Sequence, residues 1–300
     1  MKQFYHYCAD GQDSRNFIIS RKDYIAAMNI IALCAANSGV IVVAFSLEDS
    51  HPHILIYGTA EECTEFKEMF ETIYRHYAVR SRLGKGDYRL YGELYPIGDD
   101  FSYLKNVAVY TIIQPTKDGK RVMPYDYPWG TGSLYFRDRR FPPIWRFDDS
   151  GNICPVVPFG NLSKQQQREM VHSRTYTVPS DWIVCNGIIL PTNYVDVTRF
   201  ESIYGTHNGF RVFLSNNRRK EEEILQRMAG ERGVFLEDIE VRQLCGDESK
   251  LLFGTRDPRR LSPQERIVLA QTLRRKHCIS FRQLAMAVRL PEKEIRRNTR

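Results

Sequence analysis

The sequence predicts an α+β protein: an antiparallel sheet with helices packed on it, then a mixed middle region, then a small all-α unit at the C-terminus. Three observations carry that prediction. Hydrophobic periodicity switches along the first part of the chain in the order strand, helix, strand, strand, helix, strand, helix. The run Val40 to Leu47 is apolar throughout, and Glu48-Asp49-Ser50 turns it into a second apolar run, Ile54-Leu55-Ile56, which reads as a hairpin at the centre of the sheet. Near the C-terminus, two segments of capping-box form open helices in a strongly basic setting.

The elements follow in order. Phe4 to Cys8 reads as a short strand. Arg21 to Asn37 reads as a helix with Tyr24, Ile25, Met28, Ile31 and Ala35 at the helical period, ended by Gly39. Glu61 to Arg80 is a second helix, with Phe66, Met69, Phe70, Ile73 and Tyr77 on one side and Arg75, His76 and Arg80 near its end. Tyr88 to Ile97 reads as a further strand. From Asp99-Asp100 a third helix runs through Tyr110 toward Gln114, where Pro115 is expected to stop it. At about 100° per residue its main apolar stripe is Phe101, Leu104, Ala108 and Ile112, while Tyr103, Val107, Tyr110 and Gln114 fall on another.

Turn formers cluster after Tyr127-Pro128-Trp129, at Pro142-Pro143, Asp148-Asp149-Ser150-Gly151 and Pro155 to Gly160. They suggest three parts: residues 1–147, a linker and middle region at 148–255, and a C-terminal unit at 256–300. The middle offers a helix at Ser163 to Ser173, a charged helix at Arg218 to Arg232 and strand-like pieces around Ile188, with no chemistry assigned. In the tail, Ser262-Pro263-Gln264-Glu265 opens a helix through Lys276, Ser280-Phe281-Arg282-Gln283 opens a short one, and Pro291 opens a third. That is a helix-turn-helix outline whose turn lacks glycine.

Composition is that of a globular protein, 42% hydrophobic and 26% charged, without low-complexity tracts or repeats. The seven cysteines are scattered, with no C-x-x-C pair, which fits a reduced cytoplasm. The first residues lack the apolar core of a signal peptide, and no run approaches the ~18 apolar residues of a membrane span, so a soluble intracellular protein is expected. The net charge of +7 is unevenly spread: residues 256–300 hold 13 Lys/Arg against 4 Asp/Glu, and the rest of the chain is slightly acidic. A cationic C-terminal piece favours a polyanion such as nucleic acid.

The most informative segment is His51-Pro52-His53, because a strand sends residues i and i+2 to one face. Two imidazoles pointing the same way suit a divalent cation with open positions. Tyr110 and Gln114, stacked at i, i+4 on their helix, add a phenol and a carboxamide. Two neutral imidazoles and an amide oxygen suit Mg²⁺ or Mn²⁺, which acts as a Lewis acid on a scissile phosphate. A phenol with a pKa near ~10 needs the ion or a nearby base to attack as phenolate, giving a 5′-phosphotyrosine and a free 3′-OH. Tyr103, on the same face, is a rival nucleophile.

Three segments resemble the single-tyrosine HUH transposases over roughly residues 4 to 136. Ser46 to Ile56, with His51-Pro52-His53 before an apolar strand, is similar to their histidine-pair segment; Tyr103 to Pro115 resembles their tyrosine helix; Tyr127-Pro128-Trp129 resembles the Y-P-W-S segment that follows it. The REP-associated tyrosine transposases are the group most resembled. The resemblance implies a ferredoxin-like HUH nuclease domain and metal-dependent nicking and rejoining of single-stranded DNA beside an imperfect hairpin. It implies His51, His53 and Gln114 as metal ligands, Tyr110 as nucleophile, and a cytoplasmic, nucleoid-associated bacterial protein acting as a monomer or homodimer. Three departures stand out. Pro52 between the histidines removes a ladder hydrogen bond, so this strand end is expected at an edge or outside the pairing. Gln114 stands where relatives often have asparagine, and Glu93 where they tend to be basic.

Arg75, Arg80, Arg82, Lys85 and Arg89 are the candidates for DNA-backbone contacts, interleaved with Tyr77 and Tyr88 for base stacking. Arg282, Arg296 and Arg297 are the corresponding candidates in the C-terminal unit, for which duplex DNA is a further expected partner. Two other readings stay open: a hairpin-DNA binder without catalysis, and a helix-turn-helix transcription regulator.

Overall fold

The two apolar runs on either side of the Glu48-Asp49-Ser50 turn form neighbouring strands in the computed structural model, which describes residues 1–9, 16–82, 88, 90–117, 123–138, 143–148, 150–215, 238–277, 279 and 281–298. The chain runs β1 (Gln3–Ala9), α1 (Arg21–Asn37), β2 (Ile41–Leu47), β3 (Pro52–Gly58), α2 (Ala60–Arg82), β4 (Gly92–Pro96) and α3 (Phe101–Lys117). The four strands form one sheet in the order β2-β3-β1-β4, with every neighbouring pair antiparallel. This is the mixed α+β class with an antiparallel sheet that the periodicity predicts.

Because side chains alternate along a strand, neighbours in β1 face opposite layers. Tyr7 points to the α1/α2 layer, where its ring packs against Phe70 at 5.9 Å and its hydroxyl donates to Glu71 at 3.1 Å. His6 points the other way, toward Tyr110 of α3. The expected central hairpin is corrected in one respect: β3 is central, but β2 ends the sheet. Its outer edge is nevertheless closed. Leu47 N–H donates to Trp129 O, Thr131 N–H to Phe45 O and Asp196 N–H to Val42 O, each at 2.9 Å, so no open strand edge is left there. Pro52 is the first residue of β3. It lies opposite Leu47 and beyond the last partner on β1, the pair Cys8 and His53, so its missing N–H falls outside the β1 ladder, as expected.

The segment after α3 packs onto this core. A small three-stranded sheet, β5 (Val157–Pro158), β6 (Ile183–Cys185) and β7 (Ile188–Ile189), sits with α4 (Lys164–Val171) against α1. Asn29 of α1 satisfies that hairpin on both sides: it donates to Gly187 O and accepts from Ile189 N–H, both at 2.8 Å. Then α5 (Val197–Tyr204) and α6 (His207–Ser215) pack on the outer side of α3, whose inner side lies on β2 and β3. Covered on both sides, α3 is buried from Leu104 through Gln114 except at Lys105, while Phe101 on the expected apolar stripe is exposed. The two-stripe reading of α3 is therefore corrected. So is its end, for the helix passes Pro115 and reaches Lys117.

The chain divides into two compact units, Met1–Asn217 and Arg218–Arg300, a different division from the three parts expected. The turn formers around Pro128 and Pro155 join segments that pack on the first sheet and on α1, so they do not separate domains. The second unit holds α7 (Asp238–Phe253), α8 (Pro263–His277), α9 (Phe281–Val288) and α10 (Glu292–Asn298) around Val241, Leu269, Leu273, Leu284, Val288 and Ile295. Ser262 and Glu265 form the expected capping pair, Ser262 N–H donating to the Glu265 carboxylate at 2.7 Å and Glu265 N–H to Ser262 Oγ at 3.3 Å. In the turn without glycine, Arg289 itself takes the left-handed conformation, φ 57°, and Leu290 N–H reaches back to Ala285 O at 3.1 Å. The expected charged helix at 218–232 lies outside the described residues.

Gly92 is required by close approach. Its N–H donates to Glu71 at 2.9 Å, and a Cβ at this position would lie 2.0 Å from the ring of fully buried Tyr7. Gly92→Ala is expected to lower the unfolding free energy by about 1–3 kcal/mol in urea titration. An unchanged midpoint would show that the Tyr7 ring yields freely.

Candidate functional site

The site grows from the β2–β3 turn, which is fastened on several sides. Glu48 N–H donates to His51 O at 3.0 Å, Ile18 N–H to Asp49 O at 2.9 Å, and the Tyr24 hydroxyl to the Asp49 carboxylate. The Tyr127 hydroxyl donates to Leu47 O at 2.6 Å, and Trp129 stacks on Tyr24 at 4.7 Å. The Tyr127-Pro128-Trp129 segment thus holds the end of β2, from which the turn leads to the histidine pair.

Antiparallel register decides which side chains meet there. Ser46, His53, Cys8 and Glu93 are opposite one another in consecutive strands and form one row on the α3 face, with Leu55, His6 and Tyr95 in the next. His51 and His53 share that face, their rings 4.6 Å apart. The His6 ring stacks on His53 at 5.4 Å. From above, Tyr110 sets its ring edge-on to both, 5.3 Å from His53 and 5.9 Å from His6. The structure therefore brings His51, His53 and Tyr110 together. Gln114 is buried one turn beyond Tyr110, and its amide nitrogen donates to Tyr110 O at 3.0 Å. Tyr103 is buried too, but the ring contacts to the imidazoles are made by Tyr110.

Two sets of side chains have ligand atoms all within 4.8 Å of one another: Glu48, His51 and His53, and His6, Cys8 and His53. The imidazoles are oriented by neighbours. Ser50 Oγ lies 2.7 Å from His51 Nδ1, His6 Nε2 lies 3.2 Å from His53 Nδ1, and Cys8 Sγ lies 4.0 Å from His53 Nε2. His6 has its pKa pushed down to about 3, first by burial and then by His51, and so stands neutral. These residues fit a divalent cation: imidazole nitrogens with a carboxylate oxygen in one set suit a borderline-hard ion, and imidazoles with a thiol in the other suit a softer one.

Sequence reading missed three members. His6 and Cys8 reach the site only through β1–β3 pairing across more than forty residues. Glu48 reads as a turn former, yet its side chain is 2% exposed. The available signal was a carboxylate three residues before the first histidine, with the turn bringing it back.

No family profile and no curated protein matches the chain. One solved structure is similar, described as the REP-associated tyrosine transposase bound to a REP hairpin, with a TM-score of 0.33 and 16% identity over 50% of this chain and 90% of that one. Among the described residues no helix is long and apolar enough to cross a membrane.

Of the basic residues expected at DNA, Arg75 and Arg80 are exposed on α2, and Arg296 and Arg297 on α10. Arg296 pairs with Glu292 at 2.7 Å and lies over the Phe281 ring. Lys85 and Arg89 lie outside the described residues, as do the side chains of Arg82 and Arg282. Tyr77 is engaged within the fold, its hydroxyl donating to Asp23 at 2.9 Å and its ring 4.4 Å from His172. Burial, and then the Arg80 charge, push the His172 pKa down to about 4. The unfolded chain therefore takes up a proton there between about pH 6.5 and 4 while the folded one does not, and stability present above pH 6.5 falls as the pH drops through that window. His172→Asn keeps a side chain that tolerates its positive φ and is expected to flatten the stability curve between those pH values. A curve parallel to the wild type's would contradict it.

Proposed function

We propose that residues 1–147 are a ferredoxin-like HUH nuclease domain that nicks and rejoins single-stranded DNA beside a hairpin, with Tyr110 as nucleophile. The β-α-β-β-α-β order with the antiparallel arrangement β2-β3-β1-β4 supports the fold reading. The observation that carries the functional one is the phenol ring of Tyr110 standing edge-on to His53 at 5.3 Å, with the His51 ring 4.6 Å from that of His53. In this reading His51 and His53 hold the ion, and Gln114, whose amide nitrogen is committed to Tyr110 O, offers it the carbonyl oxygen. A bound Mg²⁺ or Mn²⁺ supplies Lewis-acid polarisation of the scissile phosphate. The Tyr110 oxygen forms a bond to phosphorus and the bond from phosphorus to the 3′ oxygen breaks. The phenolic proton passes to water, and the 3′ oxygen takes up a proton from water. The product is a 5′-phosphotyrosine that a 3′-OH can reopen in the joining step.

In the second unit we read α8 to α10 as a helix-turn-helix that adds affinity for duplex DNA, with Arg282, Arg296 and Arg297 toward phosphate. Arg75, Arg80, Arg82, Lys85 and Arg89 are assigned to the single strand. The protein is read as cytoplasmic.

One observation favours a second reading, a hairpin-DNA binder that does not cut: Tyr110 is only 7% exposed, and attack needs its hydroxyl to reach a phosphate. Incubation with labelled hairpin-bearing single strands and Mn²⁺, followed by denaturing electrophoresis, separates the two. The wild type and Tyr103→Phe are expected to form a covalent adduct, and Tyr110→Phe to lose it by roughly a thousandfold or more. Binding without adduct under every divalent ion would support the silent binder.

A further inference from the structure

We infer that a hollow on the second unit binds a phosphate group through Arg242, Arg259 and Arg289. The inference does not rest on the metal-dependent reading of the first unit and stands apart from it. The hollow measures about 350 Å³ and opens between α7, the single helical turn Pro258–Arg260 and the end of α9, which pack on one another. Cys245, Pro258 and Ala287 give it an apolar side, and the three arginines that line it are exposed. Asp257 is the one acidic residue among the described residues that line it, so a surplus of two positive charges surrounds one small space. Like charges gathered around a hollow repel, and an anion seated between them relieves the repulsion.

The arginines are held in place by the fold. Arg289 keeps a left-handed backbone, φ 57°, at a turn position where glycine would carry no steric cost. Leu290 N–H bonding to Ala285 O at 3.1 Å enforces that conformation, and the result is a guanidinium at the rim of the hollow. Arg266 of α8 is the brace beneath. Its Nε donates to Leu261 O and its Nη2 to Arg259 O, both at 3.0 Å, and its Nη1 to Arg289 O at 3.4 Å, so one side chain fixes the backbones of both Arg259 and Arg289. Asp257 sets the Arg259 side chain, accepting from Nε at 2.9 Å and Nη2 at 2.8 Å. A guanidinium carries five N–H donors, more than those two bonds use.

Chemistry selects the ligand. Planar guanidinium forks match phosphate oxygens in paired bonds, and three of them around one hollow favour a group with several equivalent anionic oxygens. Such a group comes from the backbone of a nucleic acid or from a free phosphorylated small molecule, and both present the same oxygens. None of the three arginines is among those assigned to duplex DNA above.

Calorimetric titration of the full-length protein with pyrophosphate, and fluorescence anisotropy of a labelled DNA duplex over a range of salt, test the site and separate the sources. Arg289→Gly removes the guanidinium while suiting the left-handed backbone, so its circular dichroism is expected to match the wild type's. It is expected to bind pyrophosphate about tenfold or more weakly, whereas Arg297→Gln, outside the hollow, binds it like the wild type. A duplex salt slope lower by about one in Arg289→Gly supports the site and assigns its phosphate to a DNA backbone. Weakened pyrophosphate with an unchanged duplex slope supports it as the seat of a free ligand. Should Arg289→Gly fail to fold, Arg242→Gln on α7 takes its place in both arms. An equal loss of pyrophosphate in Arg297→Gln would show diffuse attraction to a basic surface and overturn the site. So would binding of both probes that is indifferent to Arg289 and Arg242.

Discussion

The register of β3 between β2 and β1 is the constraint on which the site depends. Because side chains alternate strictly along a strand, a slip of one residue would turn His51 and His53 away from α3 and into the layer where Tyr7, Phe70 and Tyr74 pack. Several devices hold the register at the one place where it matters most. The Glu48 to His51 backbone bond closes the turn, Tyr127 and Trp129 hold Leu47, and Tyr24 holds Asp49. Pro52 adds to them, since its ring sits where the β1 ladder has already ended and no N–H is wanted.

Enclosure is the second determinant. The helix that carries Tyr110 is caught between the sheet and α5 with α6, and the Tyr204 hydroxyl donates to Lys105 O at 2.6 Å to tie that outer layer to it. Hydrogen bonds and ion contacts beneath it act in a low-dielectric setting, where each is stronger and each unmet group costs more. His6 shows the consequence: neutral, stacked on His53, and with a buried Nδ1 that finds no hydrogen-bond partner among the described residues. α5 and α6 make this enclosure, and α4 and β7 pack on α1, which gives the middle of the chain a structural role in the first unit.

What the sequence made legible was local. Alternation leading into β3 put His51 and His53 on one face, and the helical period put Tyr110 one turn before Gln114. Gly39 ended α1 with φ 73°, and Ser262 with Glu265 opened α8. What it hid was non-local or ambiguous in kind. No pattern in Lys2 to Cys8 says that His6 will stack on a histidine from β3, because that contact exists only once the strands pair. Glu48 looked like any acidic turn residue, since burial of a carboxylate is decided by the packing around it. The apolar stripe on α3 lost its meaning when helices a hundred residues later covered the outer face. Proline at 115 and arginine at 289 broke local rules because the packing around them outweighed intrinsic preference.

The central claim is that a phenol from α3 and imidazoles from β3 share one reacting centre. Mass spectrometry of the protein trapped on a hairpin-bearing single strand with Mn²⁺, after nuclease and protease digestion, tests it most directly. The account predicts a nucleotide increment on Tyr110. An increment on Tyr103 or any other residue, with Tyr110 unmodified, would contradict it.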